Sequence, residues 1–315
     1  MEECIAAMKD AMTGLARGEV VLPLRQALRL PDKKGMLGLM PAFLGGSSPI
    51  LGIKVVTVFP GNHGTKFDSH QGAIQLFETQ NGRLLAIIDA GSVTAIRTAA
   101  VSALATDLLA RSDSETLSIF GSGTQARMHL EAIPVVRSIH RVKIWSRNHD
   151  HAKDLAKNYG KLEIEAVESA EDAARGSDII CTTTAATAPI LEGEWISNGT
   201  HINAIGASVP PFRELDSDAV AKSSLFVDRR QSTIEESDDF RIPKNEGRFG
   251  DEHIKGEIGE ILIGTVKGRT GNDEITLFKS LGLAIEDLAA AQHIYRKALS
   301  QKAGTWVDFV AERRE

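Results

Sequence analysis

The sequence predicts an α/β protein in which a doubly wound parallel sheet is inserted into a second, split α+β domain. Within residues 116–127, a short apolar segment runs into the glycine turn Gly121-Ser122-Gly123 and then into a helical pattern. After this turn, strand-like and helix-like segments alternate, as they do in parallel sheets. Before it, residues 20–89 contain short runs of β-type residues separated by turns, which is typical of an antiparallel sheet.

Composition indicates a globular protein and disfavours several classes of function. The chain has 315 residues, 42% hydrophobic and 25% charged, and is long enough for two domains. Its formal net charge of -6 argues against nucleic acid or an anionic membrane as the main partner. The two cysteines, Cys4 and Cys181, provide neither a disulfide framework nor a cysteine-based zinc site. No signal peptide or transmembrane span is visible, so we expect a cytoplasmic protein.

Helical periodicity occurs at both ends of the chain and in its middle. Apolar residues at regular spacing predict an amphipathic helix over residues 2–17, and an alanine-rich pattern predicts a long helix over residues 92–109. A last amphipathic helix, residues 284–299, is expected to return and pack on the first domain. We therefore predict a split substrate-binding and dimerisation domain, residues 1–113 with 286–315, and an inserted domain, residues 114–285.

The inserted domain is predicted to contain parallel strands joined by helices. Short crossover connections between such strands are right-handed and indicate a doubly wound sheet. Residues 235–252 are rich in charge and include a proline and a glycine, so we expect a loop or a solvated insertion there. The candidate strands are residues 116–120, 141–145, 162–166, 178–183, 201–205 and 225–228.

The glycine turn has the G-x-G-x-x-A spacing of a Rossmann dinucleotide-binding turn. Gly121 would permit the tight turn, Gly123 would let the backbone approach a pyrophosphate, and Ala126 would let helix and strand pack closely. The helix that begins near Thr124, with Gln125 in its first turn, would direct free N–H groups and its positive dipole end at the pyrophosphate. The alternative is an ordinary glycine turn between a strand and a helix.

The residues after the second strand distinguish the two nicotinamide dinucleotides. Ser146, Arg147 and Asn148 follow this strand, and no acid stands where the ribose diol of NAD(H) would need one. A guanidinium group can bind the additional phosphate of NADP(H) in bidentate fashion, so we predict NADP(H), with NAD(H) as the alternative cofactor. A solvated surface arginine would also fit the position of Arg147.

Two groups of small residues lie at the carboxyl edge of the predicted sheet, where open α/β sheets bind their ligands. Thr182, Thr183 and Thr184 end the fourth strand, and Gly206 follows the fifth. All four are predicted to contact the cofactor. The β-propensity of threonine would explain the first three equally well.

Seven segments arranged around GSGTQA resemble those of the ornithine cyclodeaminase and mu-crystallin family. The likeness covers nearly the whole chain and implies a Rossmann domain inserted into a split domain that carries substrate and dimer contacts. It implies a homodimer with cyclodeaminase, alanine dehydrogenase or imine reductase activity. Family members usually have a further strand and helix ahead of the helix that opens this sequence. The segments are VLPLRQ, GLMPAF, LGIKVVTVFP, SHQGAIQLFE, IRTAAVSALAT, INAIGAS and TLFKSLGLAIEDLAAA.

The resemblance also implies three basic residues at the substrate. The arginine of the family's first basic motif falls on Arg25, its active-site lysine on Lys54 and the arginine of its long helix on Arg97. Two guanidinium groups and an ammonium would hold the carboxylate of an amino or imino acid and fix its orientation. Lys54 could instead be an edge-strand charge that prevents aggregation, and Arg97 a helix-surface arginine. Arg29 lies close enough in sequence to compete with Arg25 for the first role.

Two departures from the cyclodeaminases favour a reductase. In the cyclodeaminases, the motif that matches GLMPAF begins with a glutamate where this chain has Gly38. The motif that matches INAIGAS ends in an aspartate where this chain has Ser208. Deamination needs carboxylates that handle protons on the substrate amine and on an attacking nucleophile, whereas an iminium ion needs only hydride. The sequence GAS, which ends at Ser208, resembles the mu-crystallin branch, and Ser208 is predicted to contact the substrate.

Two histidines and one more serine complete the candidate residues. His70, in the family-like SHQ motif, could contact the substrate and donate a proton, whereas His63 better fits a solvated loop. The remaining ligands of a closed metal site are missing around them, so no metal is predicted. Ser280 is predicted to lie near the nicotinamide in a loop over residues 278–282, with a plain helix entry as the alternative.

The predicted function is NADPH-dependent reduction of a small cyclic imino acid. Δ1-Pyrroline-2-carboxylate or Δ1-piperideine-2-carboxylate would give proline or pipecolate, with Arg25, Lys54 and Arg97 as the catalytic residues. The alternatives are an NAD-dependent ornithine cyclodeaminase and a non-catalytic protein that binds NADPH and a carboxylated ligand. The expected partners are a small anionic imino or amino acid and a second copy of the chain.

Overall fold

The structure of the chain, a computed structural model, describes residues 1–62, 65–159 and 162–309. It contains two compact units. The parallel unit comprises Met1–Ile5 and Thr98–Gly282, and the antiparallel unit comprises Ala6–Arg97 and the chain from Leu283 onward. The domain boundaries predicted from the sequence, residues 1–113 with 286–315 and residues 114–285, stay a prediction.

The first part of the chain forms a sheet of six antiparallel strands between two helices. In the sheet the order is β1-β3-β4-β5-β6, and β2 pairs with β3. The elements are α1 (Glu2–Ala16), β1 (Val20–Val21), β2 (Gln26–Arg29), β3 (Met36–Leu44), β4 (Ile50–Val58), β5 (His70–Phe77), β6 (Leu84–Asp89) and α2 (Ala90–Leu109).

The parallel unit contains eight parallel strands in the order β13-β12-β14-β11-β10-β7-β8-β9. Its strands are β7 (Thr116–Phe120), β8 (Arg141–Trp145), β9 (Glu163–Ala166), β10 (Ile179–Thr182), β11 (His201–Ala204), β12 (Ser224–Val227), β13 (Ile254–Glu257) and β14 (Thr276–Lys279). Its helices are α3 (Thr124–Val136), α4 (His149–Asn158), α5 (Ala170–Ala174), α6 (Ser217–Ala221), α7 (Arg230–Glu236), α8 (Asp238–Asn245) and α9 (Ile258–Leu262).

Both faces of the parallel sheet are covered, which explains the continuous apolar sequence of its strands. In β10, Ile179 and Cys181 belong to one hydrophobic core, while Ile180 belongs to the other. The chain runs from β7 outward through β8 to β9 and then returns to β10 on the other side of β7. This reversal is the topological switch point at which such sheets bind ligands. The predicted fold class is confirmed.

Helix α10, Ala284–Gln301, covers one face of the antiparallel sheet by packing on β3, β4 and β5. All of its residues from Ala284 to Ala291 are buried. Gly52 in β4 allows this close approach, because a Cβ atom there would lie 3.2 Å from Leu288 Cγ. The covered face of the sheet also carries Met40 and Lys54, which are paired across β3 and β4.

Helix α2 is the one described helix that is long and apolar enough to cross a membrane by length and composition alone. Two thirds of it, 67%, is buried inside the protein, as is usual for the core helix of a globular protein. Arg97 lies in the middle of this helix and is also buried.

The structure corrects the prediction of a loop over residues 235–252. Helices α7 and α8 occupy much of this segment, and Asp239, Phe240 and Pro243 are buried. Phe240 belongs to the core of the parallel unit. Part of the predicted nicotinamide loop is also regular structure, because Phe278 and Lys279 are the last residues of β14.

Substituting Phe240 with alanine tests whether this charge-rich segment is part of the core. Phe240→Ala removes a ring that is 1% exposed, so we expect the free energy of unfolding to fall by about 3–5 kcal/mol. Phe67→Ala is the matched control, since the Phe67 side chain is 54% exposed and its loss should change stability by less than about 0.5 kcal/mol. Urea unfolding of both variants measures the difference. Equal effects would show that the segment does not contribute to the core.

Candidate active site

Lys54 lies in the interior of the antiparallel sheet. Strand β4 runs between β3 and β5, which excludes the edge-strand role for its lysine. The side chain is 3% exposed and extends from the face that α10 covers. Lys54 Nζ lies 2.6 Å from Asp287 Oδ2 and donates to Thr94 Oγ1 at 3.4 Å.

Arg97 is held by two carboxylates from the first turn of α10. Its Nε donates to Asp287 Oδ1 at 2.9 Å, and its Nη1 donates to Glu286 Oε2 at 2.6 Å. Carboxylates in the first turn also interact favourably with the positive end of the helix dipole. Arg97 is 4% exposed, so it is not a helix-surface arginine. We call Lys54, Arg97, Glu286 and Asp287 the ion-pair cluster.

Burial and the neighbouring charges shift the pKa values of Lys54 and Asp287. Burial lowers the pKa of Lys54 to about 8, Asp287 opposes this shift, and the positive charges of Arg97 and Arg25 add to it. Burial alone would raise the pKa of Asp287, but Arg97 and Lys54 bring it below its ordinary value. Asp287 is therefore a fixed counter-ion near neutral pH, and Lys54 loses its proton more readily than an ordinary lysine.

Arg25 lies immediately before β2, is half-buried and is close enough to lower the pKa of Lys54. The three basic residues predicted from the resemblance thus belong to one electrostatic group. Lys54 and Arg97 are paired with two carboxylates, and Arg25 adds positive charge close to Lys54. A concentration of basic groups of this kind suits a ligand with a carboxylate.

The remaining predicted substrate residues are more exposed. His70 is the first residue of β5, is exposed and shares a hydrogen bond of 3.1 Å with Ser69 Oγ. His63 lies outside the described residues. Ser208 is half-buried and follows the buried Ala207 in the loop after β11 of the parallel unit. Among the described residues, no group of three histidine, cysteine or acidic side chains is arranged to hold a metal ion.

The glycine turn in the parallel unit combines close packing at Gly121 with an open, uncapped helix start at Gly123, as expected of a pyrophosphate-binding turn. Gly121 has a φ angle of +126°, and a Cβ atom there would lie 2.7 Å from Thr183 Oγ1. A Cβ atom at Gly123 would meet nothing within 4 Å, and no side chain caps the start of α3 at this residue. Ala126 is fully buried between helix and sheet. Thr124 and Gln125 therefore begin a helix whose N–H groups can bind an anion.

The end of β8 contains no carboxylate. Ser146 is half-buried, and its Oγ lies 3.1 Å from the Oγ of Ser122 in the glycine turn. Arg147 is exposed. The Asn148 side chain caps α4 by accepting a hydrogen bond from the N–H of Asp150 at 3.0 Å. Arg147 is the charged residue among the three and has the exposure that a charged ligand group needs.

The predicted threonines serve partly to connect loops. Thr182 is fully buried, and its hydroxyl donates to Glu214 Oε2 at 2.8 Å. Thr183 Oγ1 donates to the carbonyl of Phe120 at 2.9 Å, which joins the ends of β10 and β7. Thr184 donates to Glu214 Oε1 from both its N–H and its hydroxyl, at 2.6 and 2.8 Å. The half-buried Thr183 and Thr184 remain able to reach a ligand.

Gly206 and Ser280 lie in two other loops at the same edge of the sheet. The Gly206 N–H donates to Glu214 Oε2 at 2.8 Å. Ser280 is 2% exposed, and its hydroxyl donates to Asp228 Oδ2 at 3.3 Å. Asp228 also accepts hydrogen bonds from the N–H groups of Leu281 and Gly282, so it fixes the loop that follows β14.

Sequence reasoning missed five buried acids of these two regions: Glu214, Asp228, Asp239, Glu286 and Asp287. For the last pair a local signal exists, because two adjacent acids interrupt the otherwise apolar segment GLAIEDLAAA. Acids in such a context are seldom buried unless they are paired. Glu214 gives no comparable signal, since it lies between elements where the sequence has no periodicity.

Comparison with known proteins identifies the family of the chain. Residues 1–302 match the "Ornithine cyclodeaminase/mu-crystallin family". The chain belongs to this family. The family predicted from the sequence motifs is thus confirmed.

Its relatives within the ornithine cyclodeaminase/mu-crystallin family include named reductases. The ketimine reductase mu-crystallin of Mus musculus is 39% identical over 294 residues, which cover 92% of this chain and 90% of the relative. The Thermococcus litoralis Δ1-pyrroline-2-carboxylate reductase, solved with NADH and L-proline, has a TM-score of 0.93 and 40% identity, covering 98% of this chain and 96% of that one. An archaeal alanine dehydrogenase dimer with bound NAD has a TM-score of 0.92 and 34% identity over 98% and 95% of the two chains.

Substituting Asp287 with asparagine tests the ion-pair cluster. Asp287→Asn removes the carboxylate that pairs with the buried Lys54 and one of the two that pair with Arg97, so we expect the free energy of unfolding near neutral pH to fall by about 3–5 kcal/mol. Asp32→Asn is the control, because the Asp32–Lys34 pair is at the surface and should contribute less than about 1 kcal/mol. Urea unfolding measures both variants.

The pH dependence of this effect has a defined sign. The folded-state pKa of Asp287 is lowered, so its stabilising contribution is present above the unfolded-state pKa and is lost as the pH falls through the folded-state value. The stability difference between the wild-type protein and Asp287→Asn should therefore shrink in acid. A difference that stays constant as the pH falls would contradict the assignment of Asp287 as an ionised counter-ion.

Proposed function

We propose that the protein is an NADPH-dependent reductase of small cyclic imino acids. Δ1-Pyrroline-2-carboxylate and Δ1-piperideine-2-carboxylate would be reduced to proline and pipecolate. The observation that supports this most directly is the buried ammonium of Lys54 beside the guanidinium of Arg97, with the positive charge of Arg25 nearby, because these cations suit a carboxylate ligand. The similar Thermococcus litoralis enzyme, a Δ1-pyrroline-2-carboxylate reductase, was solved with NADH and L-proline.

The residues of the antiparallel unit would bind and orient the imino acid. Arg25, Lys54 and Arg97 would hold its carboxylate, while Glu286 and Asp287 fix the direction of the Arg97 guanidinium. A rigid guanidinium loses little entropy when it binds a planar carboxylate. The bound carboxylate would in this way determine where the C=N bond lies.

The reaction adds a hydride to the imine carbon and requires a proton on the nitrogen. A bound nicotinamide dinucleotide supplies the hydride. Lys54 is still an ammonium at neutral pH, and its pKa of about 8 makes it a better proton donor than an ordinary lysine. An imine that binds already protonated would need Lys54 only as a positive charge for its carboxylate.

The carboxylates of the ion-pair cluster favour a reductase over a cyclodeaminase. Glu286 and Asp287 are both paired with Arg97, and Asp287 has a lowered pKa, so neither is suited to accept a proton. Gly38 lies within β3 and has no side chain to offer. Ser208 cannot act as a carboxylate at neutral pH.

Reduction of the two imines with NADPH tests the proposal. We expect the near-ultraviolet absorbance of the reduced cofactor to fall in proportion to the imine added, and Lys54→Met to lower kcat/KM at least about 100-fold. Lys34→Met is the control, because Lys34 lies at the surface. Ammonia release from ornithine with catalytic NAD would instead establish a cyclodeaminase, and binding of NADPH without turnover would establish a binding protein.

We infer a preference for NADPH from the end of β8. A guanidinium at the exposed Arg147 can bind a ribose phosphate, and residues 146–148 lack the acid that a ribose diol favours. The similar proteins were solved with NADH or NAD, which supports a nicotinamide dinucleotide as cofactor but not the additional phosphate of NADPH. The preference for NADPH over NADH therefore needs a direct comparison of the two.

Replacing Arg147 separates the two cofactors. Arg147→Ala should raise the KM for NADPH about 10- to 100-fold, since it removes a charge-assisted contact, and should leave the KM for NADH unchanged. Arg141→Ala is the matched control, because Arg141 is exposed at the opposite end of the same strand. Steady-state kinetics with each cofactor measures the effect. An unchanged preference in Arg147→Ala would remove this basis for NADPH.

We also propose that the protein is a homodimer in which a second copy covers the open face of the antiparallel sheet. The face opposite α10 is apolar and includes large exposed side chains. Strand register places these on the same face as Phe43 and Pro41. An exposed apolar surface of this kind is typical of a protein interface. The exposed residues are Val21 (62%), Leu28 (60%), Leu51 (43%) and Ile87 (60%).

Sedimentation equilibrium tests the dimer. The wild-type protein should sediment as a dimer, and the double variant Leu51→Asp/Ile87→Asp should sediment as a monomer because two charges would be buried in the interface. Val135→Asp is the control, since Val135 is an exposed apolar residue of α3 in the parallel unit. A double variant that remains dimeric would place the interface elsewhere.

A further inference from the structure

Glu214 joins two loops at the carboxyl edge of the parallel sheet. It is fully buried and lies between β11 and α6. From the end of β10 it accepts hydrogen bonds from Thr182 Oγ1 at 2.8 Å, Thr184 N at 2.6 Å and Thr184 Oγ1 at 2.8 Å. From the loop after β11 it accepts hydrogen bonds from Gly206 N at 2.8 Å and Ala207 N at 3.3 Å. One carboxylate thus receives five hydrogen bonds from two loops.

The two loops are in close contact at this carboxylate. A Cβ atom at Gly206 would lie 2.0 Å from the carbonyl oxygen of Thr184 and 2.5 Å from Glu214 Oε1. Only glycine fits at this position, so the two loops lie against each other with no room for a further side-chain atom. A change in the length or charge of the Glu214 side chain would be transmitted to both loops.

The backbone at Glu214 is held in place by the buried Asp239. Asp239 Oδ1 accepts hydrogen bonds from the N–H groups of Glu214 and Leu215, at 2.9 and 3.0 Å. Asp239 Oδ2 lies 2.8 Å from the ammonium of Lys279, the last residue of β14. The buried pair therefore connects a third strand end to the backbone of Glu214.

A buried carboxylate is costly unless donors surround it. Burial raises the pKa of Glu214, and the positive charge of Lys279 opposes this rise. All of the hydrogen-bond partners described for the Glu214 carboxylate donate to it, which is the arrangement an ionised carboxylate needs. A hydrophobic residue could have filled the space, but it would not have linked the N–H groups of two loops.

The position of the linked loops relates Glu214 to one part of the ligand. In a doubly wound sheet, each half binds one mononucleotide, and β7 to β9 form the half with the glycine turn and the adenosine end. Strands β10 and β11 belong to the other half. The loops joined by Glu214 would therefore contact the nicotinamide half of a dinucleotide.

We propose that Glu214 is a positioning residue for the nicotinamide half of the cofactor, which it affects by fixing the spacing of the loops after β10 and β11. This inference rests on the proposed function, because it requires that a nicotinamide dinucleotide binds. Glu214 does not contact the reacting atoms.

The test compares binding of the whole cofactor with binding of its adenosine half. Dissociation constants of NADPH and of adenosine 2′,5′-bisphosphate are measured for wild-type protein and for Glu214→Gln, at a temperature well below the unfolding midpoint of each. In this variant a side-chain NH2 group replaces one carboxylate oxygen and meets N–H groups that have lost their acceptor. Two sets of donors repel each other, so the two loops should move apart. We expect NADPH binding to weaken about 10- to 100-fold, while binding of the adenosine fragment stays unchanged.

Asp178→Asn is the matched control at the opposite edge of the same sheet. Asp178 accepts hydrogen bonds from the N–H groups of Glu115 and Thr116, both at 3.0 Å, and pairs with Arg111 at 2.6 Å. Its substitution should lower the unfolding midpoint and leave both dissociation constants unchanged. Thr182→Val provides a milder second variant, because it removes one donor to Glu214 from a fully buried side chain. It should weaken NADPH binding less than Glu214→Gln, again without affecting the fragment.

The outcomes separate this inference from the proposed function. Wild-type protein that binds neither ligand would refute the proposed function. If the wild-type protein binds both, unchanged NADPH binding in Glu214→Gln and Thr182→Val would refute the positioning role and leave Glu214 as a purely structural residue. Equal weakening of NADPH and of the fragment would also refute it, because the effect would then extend to the whole sheet.

Discussion

Asp287 provides the interaction on which the antiparallel unit depends. One of its oxygens lies 2.6 Å from Lys54 Nζ and the other 2.9 Å from Arg97 Nε, so a single carboxylate connects β4, α2 and α10. Removing four charges from water costs several kcal/mol per ion, and their mutual attraction offsets this cost only when the geometry is good. The gain is in orientation: the ammonium and the guanidinium keep fixed directions because α10 packs firmly on β3, β4 and β5.

The parallel unit uses buried carboxylates for a different purpose. Glu214 and Asp228 accept mainly backbone N–H groups and thereby fix loops that have no regular structure of their own. Buried N–H groups of irregular segments need acceptors, and a carboxylate can satisfy several of them at once. In the ion-pair cluster the acids neutralise cations, whereas at the carboxyl edge of the sheet they replace secondary structure. Both arrangements hold a side chain or a loop in place through contacts within the protein.

The sequence predicts features that depend on neighbouring residues and misses those that depend on distant ones. The turn at Gly121 is predicted because a strand, a glycine and a helix follow one another directly, and its φ of +126° requires glycine. The pairing of Arg97 with Glu286 joins residues 189 positions apart, and no local pattern specifies it. The prediction of a loop around Phe240 was wrong because the charged residues on either side of it give the segment the composition of a solvated loop, although the ring itself is buried. Lys54 itself was found through family resemblance, since periodicity alone assigns it to a strand.

Lys54 links the electrostatics of the ion-pair cluster to the proposed substrate. Burial lowers the pKa of Lys54. Asp287 raises it again only in part, because the same carboxylate also neutralises Arg97. A substrate carboxylate bound in this group would add a second negative charge, which favours the ammonium form and raises the pKa of Lys54 again. By thermodynamic linkage, the protonated form must then bind the carboxylate more tightly than the neutral form does. Substrate binding would thus ensure that Lys54 is charged at the moment when the imine needs a positive charge or a proton.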